Sequence, residues 1–463
     1  MKLKRYLVVL LTVPLFAGIN NLSLNQALKI VKKHNLEIRI AKFNQKMKKI
    51  ESKIAKGYSY GKVDLTVQGM RSNDAGNVFG FKVQSREATF GDFGFSEFLA
   101  PLGGAIYGAS KGVAPADMSG LLNTQPKDLN YPDARNHYLT KLTFMLPIYT
   151  GGKLNEYRKI STKMYNMSKL DSKKVLNNKI FQTRKTFYDI ALVENYISNL
   201  GKIISNIKRL EHIVSSMKKE GYAKDIDMLE VQARKAEAQN MYSQAKLNRE
   251  LAYQFLSFLL NRDVDSIRRI SDMAKTPRVS KSDIGKNLDI QKAIMGLEVA
   301  KMAVKVERSN FLPQIGAFGE YGSADNKLFD EFKDKDFYTV GVQVKWNIFN
   351  GGIDANNLEK AKVREMRVRD QVELAKKGIA LHIKKLQSEI KTGNSKIRSF
   401  KAQYRFANKV YKNYQARYRE GMVSISDLLI KQSKQLEILL KLLTVKNERN
   451  YKVFELNSIL NKG

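Results

Sequence analysis

The side chains that most often carry chemistry are scarce or scattered in this chain. His34, His137, His212 and His382 stand far apart, and none has a partner at metal-ligand spacing. Cysteine is absent. That excludes a disulfide scaffold, a zinc–cysteine site, iron–sulfur ligation, a cysteine nucleophile and a lipid anchor on an N-terminal cysteine. No Gly-x-x-x-x-Gly-Lys run is present to cradle a phosphate. The chain therefore reads as no enzyme, with no catalytic set, cofactor or metal. What stands out instead is a pair of matched carboxylates. Asp227 lies six residues beyond Gly221, and Asp427 lies six beyond Gly421. An Asp just after a turn glycine can start a helix by capping it or by meeting its dipole.

Those matched positions belong to a duplicated chain. Tyr149-Thr-Gly-Gly152 recurs as Phe349-Asn-Gly-Gly352, and Glu220-Gly221 recurs as Glu420-Gly421, at an offset of 200. Gln232, Lys246, Arg249 and Leu260-Asn261 match Gln432, Lys446, Arg449 and Leu460-Asn461 at the same offset. Upstream, Asn35-Leu-Glu-Ile38 matches Asn287-Leu-Asp-Ile290 at an offset of 252. The first half thus carries 52 extra residues, between about Met70 and Asn136.

Each half reads as helix, strand, strand, helix, turn, helix. Val63, Leu65 and Val67 alternate with Asp64, Thr66 and Gln68. Tyr138 to Ile148 and Tyr338 to Ile348 alternate in the same way, and Ile315 to Gly322 is a weaker strand. This period of two gives one apolar and one polar face. Tyr338 and Trp346 fit aromatic girdles around a lipid-facing band. A half-buried soluble sheet would show the same alternation. Lys153 to Lys219 and Ile353 to Glu420 contain no proline. Ile190, Val193, Ile197, Leu200, Ile204 and Ile207 step by three and four, as in a coiled-coil seam. Each such helix would be about 100 Å long, far beyond the globular average.

Length is 463 residues, with 81 Lys and Arg against 45 Asp and Glu, a formal charge of +36. A pI near 9.9 raises nucleic acid as a partner. The charge argues against it. Residues 58–145 hold eight basic and eight acidic side chains, and residues 309–345 hold four and six. The excess is spread along the helical segments, with no basic domain and no basic run interleaved with aromatics, so it reads as a solvated face. Lys2, Lys4 and Arg5 precede an apolar run from Tyr6 to Ala17, the pattern of a secretory signal. No later stretch is apolar for long enough to span a bilayer as a helix.

With these features assembled, the chain resembles the TolC family of outer-membrane channel proteins. The resemblance rests on Leu22-Ser-Leu-Asn-Gln-Ala-Leu28 with Asn35-Leu36, and on Pro147-Ile-Tyr-Thr-Gly-Gly152. It rests further on Asn347-Ile-Phe-Asn-Gly-Gly352 and on Arg417-Tyr-Arg-Glu-Gly421 leading to Asp427-Leu-Leu429. It implies a membrane α+β fold, internally duplicated. Four strands per protomer would join a homotrimeric twelve-stranded β-barrel in the lipid bilayer of the cell outer membrane. A long coiled-coil α-barrel would continue it through the periplasm. The implied partners are a periplasmic adaptor (membrane fusion) protein and an inner-membrane RND or ABC transporter. The implied function is the exit duct of a tripartite efflux system for small molecules. Type I protein secretion is the alternative within transport, and a secreted coiled-coil structural or adhesion protein the alternative outside it.

The resemblance also assigns residues. The tips Gly221, Tyr222, Ala223 and Gly421, Met422, Val423 would meet the adaptor. Asp427, with Asp227 and Glu230, would line the periplasmic constriction, and Tyr418 with Asp227 would link neighbouring coils and hold it shut. The family's second acid falls on Ile430 and its basic gate residue on Val423, so the ring would be single and one link missing. Gly151, Gly152, Gly351 and Gly352 mark the strand–helix joints. The expected organisation is a signal peptide over 1–18, a periplasmic helix over 19–57, and membrane strands over 58–150. The long extracellular loop within those strands is 70–136, rich in glycine and proline, with aromatics from Phe79 to Phe98 that can pack on the barrel mouth. A helical hairpin follows over 151–262 (tip near 221), then a linker over 263–283. The second repeat places its helix at 284–310, its strands at 311–350 and its hairpin at 351–463 (tip near 421).

Overall fold

The computed structural model describes residues 18–111, 120, 123–270 and 273–462. The expected signal peptide lies outside these residues except for Gly18. The described chain forms two compact units. One holds the residues up to Ile50, Thr162–Ala300 and Val363 onward; the other holds Glu51–Ser161 and Lys301–Lys362.

The second unit contains the sheet. Strands β1 (Lys62–Ser72), β2 (Arg135–Thr150), β3 (Gln314–Asp325) and β4 (Asp336–Lys345) form one antiparallel sheet in the order β1-β2-β3-β4. Leu65 pairs with Leu142, Leu142 with Tyr321, and Tyr321 with Tyr338. Directly paired residues share a face, so Leu65, Leu142, Tyr321, Tyr338, Val340 and Val342 form one apolar surface. Leu65 is 68% exposed and Val340 78%. The opposite face carries Asp64, Thr66, Thr143 and Glu320, with Lys141 and Glu320 paired at 3.1 Å. The register slips between Pro147 and Tyr149. Proline cannot donate to a ladder and settles at such a bulge.

Two details depart from the alternation read in the sequence. β4 ends at Lys345 rather than Ile348. The Trp346 indole N–H donates to the Phe311 carbonyl at 3.1 Å, and the chain leaves the ladder there to enter the joint. The insertion between β1 and β2 is also more than a loop. It contains α3 (Ala75–Gln84), α4 (Phe95–Ser110) and the short α5 (Lys127–Asn130). Asp74 caps α3 through the Asn77 amide at 2.9 Å. Residues 112–119 and 121–122, including Pro115, lie outside the described residues.

The first unit is helical. α1 (Leu24–His34) opens with a capping box in which Ser23 and Gln26 serve each other's backbone amides. α2 (Leu36–Gly57) follows. α6 (Lys153–Lys219) and α10 (Ile353–Arg419) have 67 residues each, and they turn into α7 (Asp225–Leu260) and α11 (Ile425–Ile459). α8 (Lys281–Gly285) and α9 (Leu288–Arg308) complete the order. One end of each of α2, α6, α9 and α10 belongs to the other unit. The coiled-coil seam is buried at Ile190, Leu200 and Ile207. Phe187 and Ile190 pack with Leu22, Val31, Leu256 and Leu260. Each such side chain contributes about 1.5–3 kcal/mol by leaving water.

The duplication is visible atom by atom. The Asn35 amide donates to the Leu259 carbonyl at 2.8 Å, and the Asn287 amide donates to the Ile459 carbonyl at 3.0 Å. Both side chains also accept a helix-start N–H, from Ile38 and from Ile290. No described helix is long and apolar enough to cross a membrane.

Candidate functional site

Two structurally repeated places follow from the glycines. The first is the strand–helix joint. Gly151 and Gly152 have φ of +62° and +84°, and Gly351 and Gly352 have +67° and +80°. L side chains rarely adopt these angles. At Gly151 a Cβ would also sit 2.7 Å from the Ser309 carbonyl oxygen. The joint is tied further by Lys153, whose ammonium donates to Asn310 Oδ1 at 3.0 Å.

The second place is the pair of hairpin tips. α6 ends with the Gly221 N–H on the Lys218 carbonyl at 3.1 Å and the Tyr222 N–H on the Met217 carbonyl at 2.8 Å. α10 ends identically, with Gly421 on Tyr418 at 3.1 Å and Met422 on Arg417 at 2.9 Å. These are Schellman closures around a left-handed glycine. Tyr222 and Met422 then project into solvent, at 80% and 63% exposure. Ala223 and Val423 turn inward against the helical core.

The matched aspartates sit three residues after each helix cap. The Asp227 carboxylate accepts the Lys224 N–H at 2.8 Å. Asp427 accepts from the Ser424 hydroxyl at 2.7 Å and donates its N–H to that hydroxyl at 3.1 Å. Both therefore serve the helix start within one chain, and Asp427 is exposed. Glu230 accepts a short hydrogen bond from the Ser426 hydroxyl, which joins α7 to α11. Ser424-x-x-Asp427 before an apolar run is a capping signal legible in the sequence, whereas the Ser426 contact across the hairpins has no local signature. Ile430, at the position of the family's second acid, is exposed.

Tyr418 is buried in the cluster that joins both hairpins, with Leu210, Val214, Val231, Ile425 and Leu428. Its hydroxyl donates to the Met217 sulfur at 3.7 Å. Burial, and after it the charge of Asp227, raises the Tyr418 phenol above its ordinary value. The structure thus brings Tyr418 and Asp227 within electrostatic reach, between the two hairpins of one chain. In this conformation each has another hydrogen-bond partner. Above the tips, Ile203, Ile207, Arg234, Ala238, Leu429 and Leu436 line a groove of about 680 Å³ between the hairpins.

A duplicated helix–strand–strand–helical-hairpin chain, with an apolar-faced four-stranded sheet, defines the class of outer-membrane channel-tunnel folds. Residues 281–462, the second repeat, match the family model of the outer membrane efflux protein. No curated protein matches the chain in sequence. Among solved structures, the fold is similar to that of CusC, with a TM-score of 0.76 and 12% identity over 96% of this chain and 95% of that one. It is similar to the Campylobacter jejuni CmeC outer membrane channel, at 0.75 and 16% over 95% and 86%. It is similar also to the open state of the Neisseria gonorrhoeae MtrE outer membrane channel, at 0.74 and 15% over 94% and 88%. The resemblance to the TolC family and the fold class it implied are borne out.

Proposed function

We propose that three copies of this chain form an outer-membrane exit duct, through which a tripartite efflux system exports small molecules. The open sheet carries this reading. β1 and β4 are edges, and an open sheet edge is not tolerated in lipid. Three copies bring twelve strands, an even number in the range of outer-membrane barrels. Closure by threefold symmetry puts the exposed apolar face toward lipid and the Asp64, Thr66, Thr143 and Glu320 face around water. On this reading the helical hairpins lie in the periplasm, and the segment before Gly18 acts as the secretion signal. The extra residues 70–136 then face the cell exterior.

The hairpin tips, Gly221-Tyr222-Ala223 and Gly421-Met422-Val423, meet the adaptor, and the groove above them, lined by apolar side chains with Arg234, Glu237, Lys431 and Glu437, offers it a seat. Asp427, with Asp227 and Glu230, narrows the periplasmic end. The duct itself performs no chemistry; an inner-membrane RND or ABC transporter supplies the energy. The test is isolation from membranes followed by loss of the gene. Heat-modifiable, carbonate-resistant trimers that form channels in planar bilayers support the duct. Deletion should raise sensitivity to small toxic solutes. If deletion instead abolishes export of one protein and leaves solute sensitivity unchanged, type I secretion replaces efflux. Soluble rods would return the chain to a structural or adhesive role.

A further inference from the structure

We propose that α3 and α4, the described helices after β1, form a lid over the outer mouth of the barrel, clasped to the β3–β4 turn by Arg86 and Glu87. This rests on the trimeric-barrel reading above. Leu139 pairs with Ala324, and Met70 with His137. These residues lie in the same file as Lys141, Thr143 and Thr66, on the face that lines the water. The Phe81 ring of α3 stacks on His137, with centroids 4.1 Å apart and 5° between the planes. Phe81 and Val78 of α3 are buried, and Ala324 is fully buried. α3 is therefore seated on the lumen side of the strand ends, not on the lipid side.

A set of ion pairs holds it there. The Arg86 guanidinium donates to the Asp334 carbonyl at 2.9 Å and, by a shorter bond, to the Asp336 carbonyl. Glu87 accepts from both Arg135 and Lys335. Lys335 also meets Asp325 at 2.8 Å and Glu331 at 2.9 Å. Burial alone would depress the Lys335 ammonium, yet its hydrogen bonds to Asp325, Glu87 and Glu331 raise it. Burial likewise opposes the Glu87 charge, but hydrogen bonds from Lys335 and Arg135 hold its carboxyl below the usual range. The described residues that follow build on α3. Lys82 pairs with Asp92, and Phe79 meets Phe93 edge to face at 5.4 Å. α4 follows with Phe95, Leu99, Ile106 and Tyr107 exposed in the single chain.

Dimensions make a lid sufficient. A twelve-stranded barrel with strands about 4.8 Å apart and tilted ~40° has a backbone diameter of about 24 Å. α4 has 16 residues, hence a length of about 24 Å. Three such helices, each ~10 Å wide with side chains, exceed the opening that the strands leave. The lid as proposed brings their exposed apolar residues together around the axis.

The chain has no cysteine, so a single introduced thiol reports cleanly. Thr66→Cys lies in the water-facing file and Val67→Cys in the lipid-facing file. Intact cells are treated with a maleimide carrying a polyethylene-glycol chain. Thr66→Cys should label at least tenfold faster once the clasp is broken by Arg86→Gln with Glu87→Gln, or once α3 is unseated by Phe81→Ala. Equal rates with and without these changes, whether fast or slow, overturn the lid. Heat-modifiable trimers verify assembly; if Phe81→Ala fails to assemble, the Arg86 and Glu87 pair decides. A small soluble maleimide on isolated membranes separates the two levels. If it labels Val67→Cys as fast as Thr66→Cys, the barrel reading fails. If Val67→Cys stays protected while the bulky reagent always reaches Thr66→Cys, only the lid fails.

Discussion

At the residue scale, Asp427 separates two roles that the sequence left superposed. It closes the cap at Ser424, and in a trimer three such carboxylates would share a narrow passage and focus the field there. Asparagine keeps the cap but not the charge. Asp427→Asn should therefore leave thermal stability within about 0.5 kcal/mol, while Asp427→Ala costs about 1 kcal/mol. Reversal potentials in planar bilayers should show weaker cation selectivity for both variants. If both conduct like the parent, Asp427 is a helix-start residue alone. Tyr418 calls for the same separation. Its hydroxyl meets only a thioether, a weak acceptor, whereas its ring fills a core. Tyr418→Phe should be nearly silent in thermal unfolding, and Tyr418→Ala should cost about 3–5 kcal/mol, as for other buried aromatics. Asp227→Ala combined with Tyr418→Phe should raise single-channel conductance if their mutual field helps to hold the tips together. Unchanged conductance would remove that role.

At the element scale, the joints and the linker make the sharpest expectations. Gly151→Ala combines a left-handed φ with a Cβ 2.7 Å from the Ser309 carbonyl. Gly152→Ala has the same kind of φ but open space. The first should largely abolish heat-modifiable trimers; the second should cost about 1–2 kcal/mol of strain and leave them assembled. Equal yields of trimer would refute the steric argument. In the linker, the Lys462 ammonium donates to Asp283 at 2.8 Å, with the Ser280 N–H as a second donor. These bonds pull the Asp283 carboxyl down to about 2 from 3.8. Because the folded value is the lower one, the carboxylate stabilises the fold above pH ~4, and that contribution is lost as pH falls through about 2. In Asp283→Asn, unfolding followed by circular dichroism should lose that part of the acid dependence and fall in stability near neutral pH.

These elements differ in how far the sequence alone specifies them. The turn glycines, the paired joint glycines and the seam at Ile190 and Leu200 were legible because each has a local signature in chain order. The Asn35 and Asn287 hydrogen bonds were legible only as a repeat of letters; their partners lie 224 and 172 residues away. Trp346 broke its strand pattern because a side-chain bond to a distant carbonyl overrode the alternation. The helices of the insertion were hidden by composition. Gly103, Gly104 and Pro101 lie inside α4, where intrinsic propensity argues against a helix. At the tips, the positions were legible, but the partners of Tyr418 depend on how two hairpins pack and were not.

At the scale of the whole molecule, the repeat and the strand count are separate variables. One repeat supplies two strands and one coiled hairpin, marked by the shared Asn35 and Asn287 bonds. Only the first repeat carries the insertion, so the outer and periplasmic ends need not follow the same symmetry. Twelve strands can be divided among chains in more than one way. Recombination in register between the halves of the gene would yield a chain with three repeats and six strands. Such a chain would need two copies, not three, to leave no edge in the bilayer. The stoichiometry of the barrel is thus written in the number of tandem repeats per gene, and a single crossover at an offset of 200 codons would rewrite it.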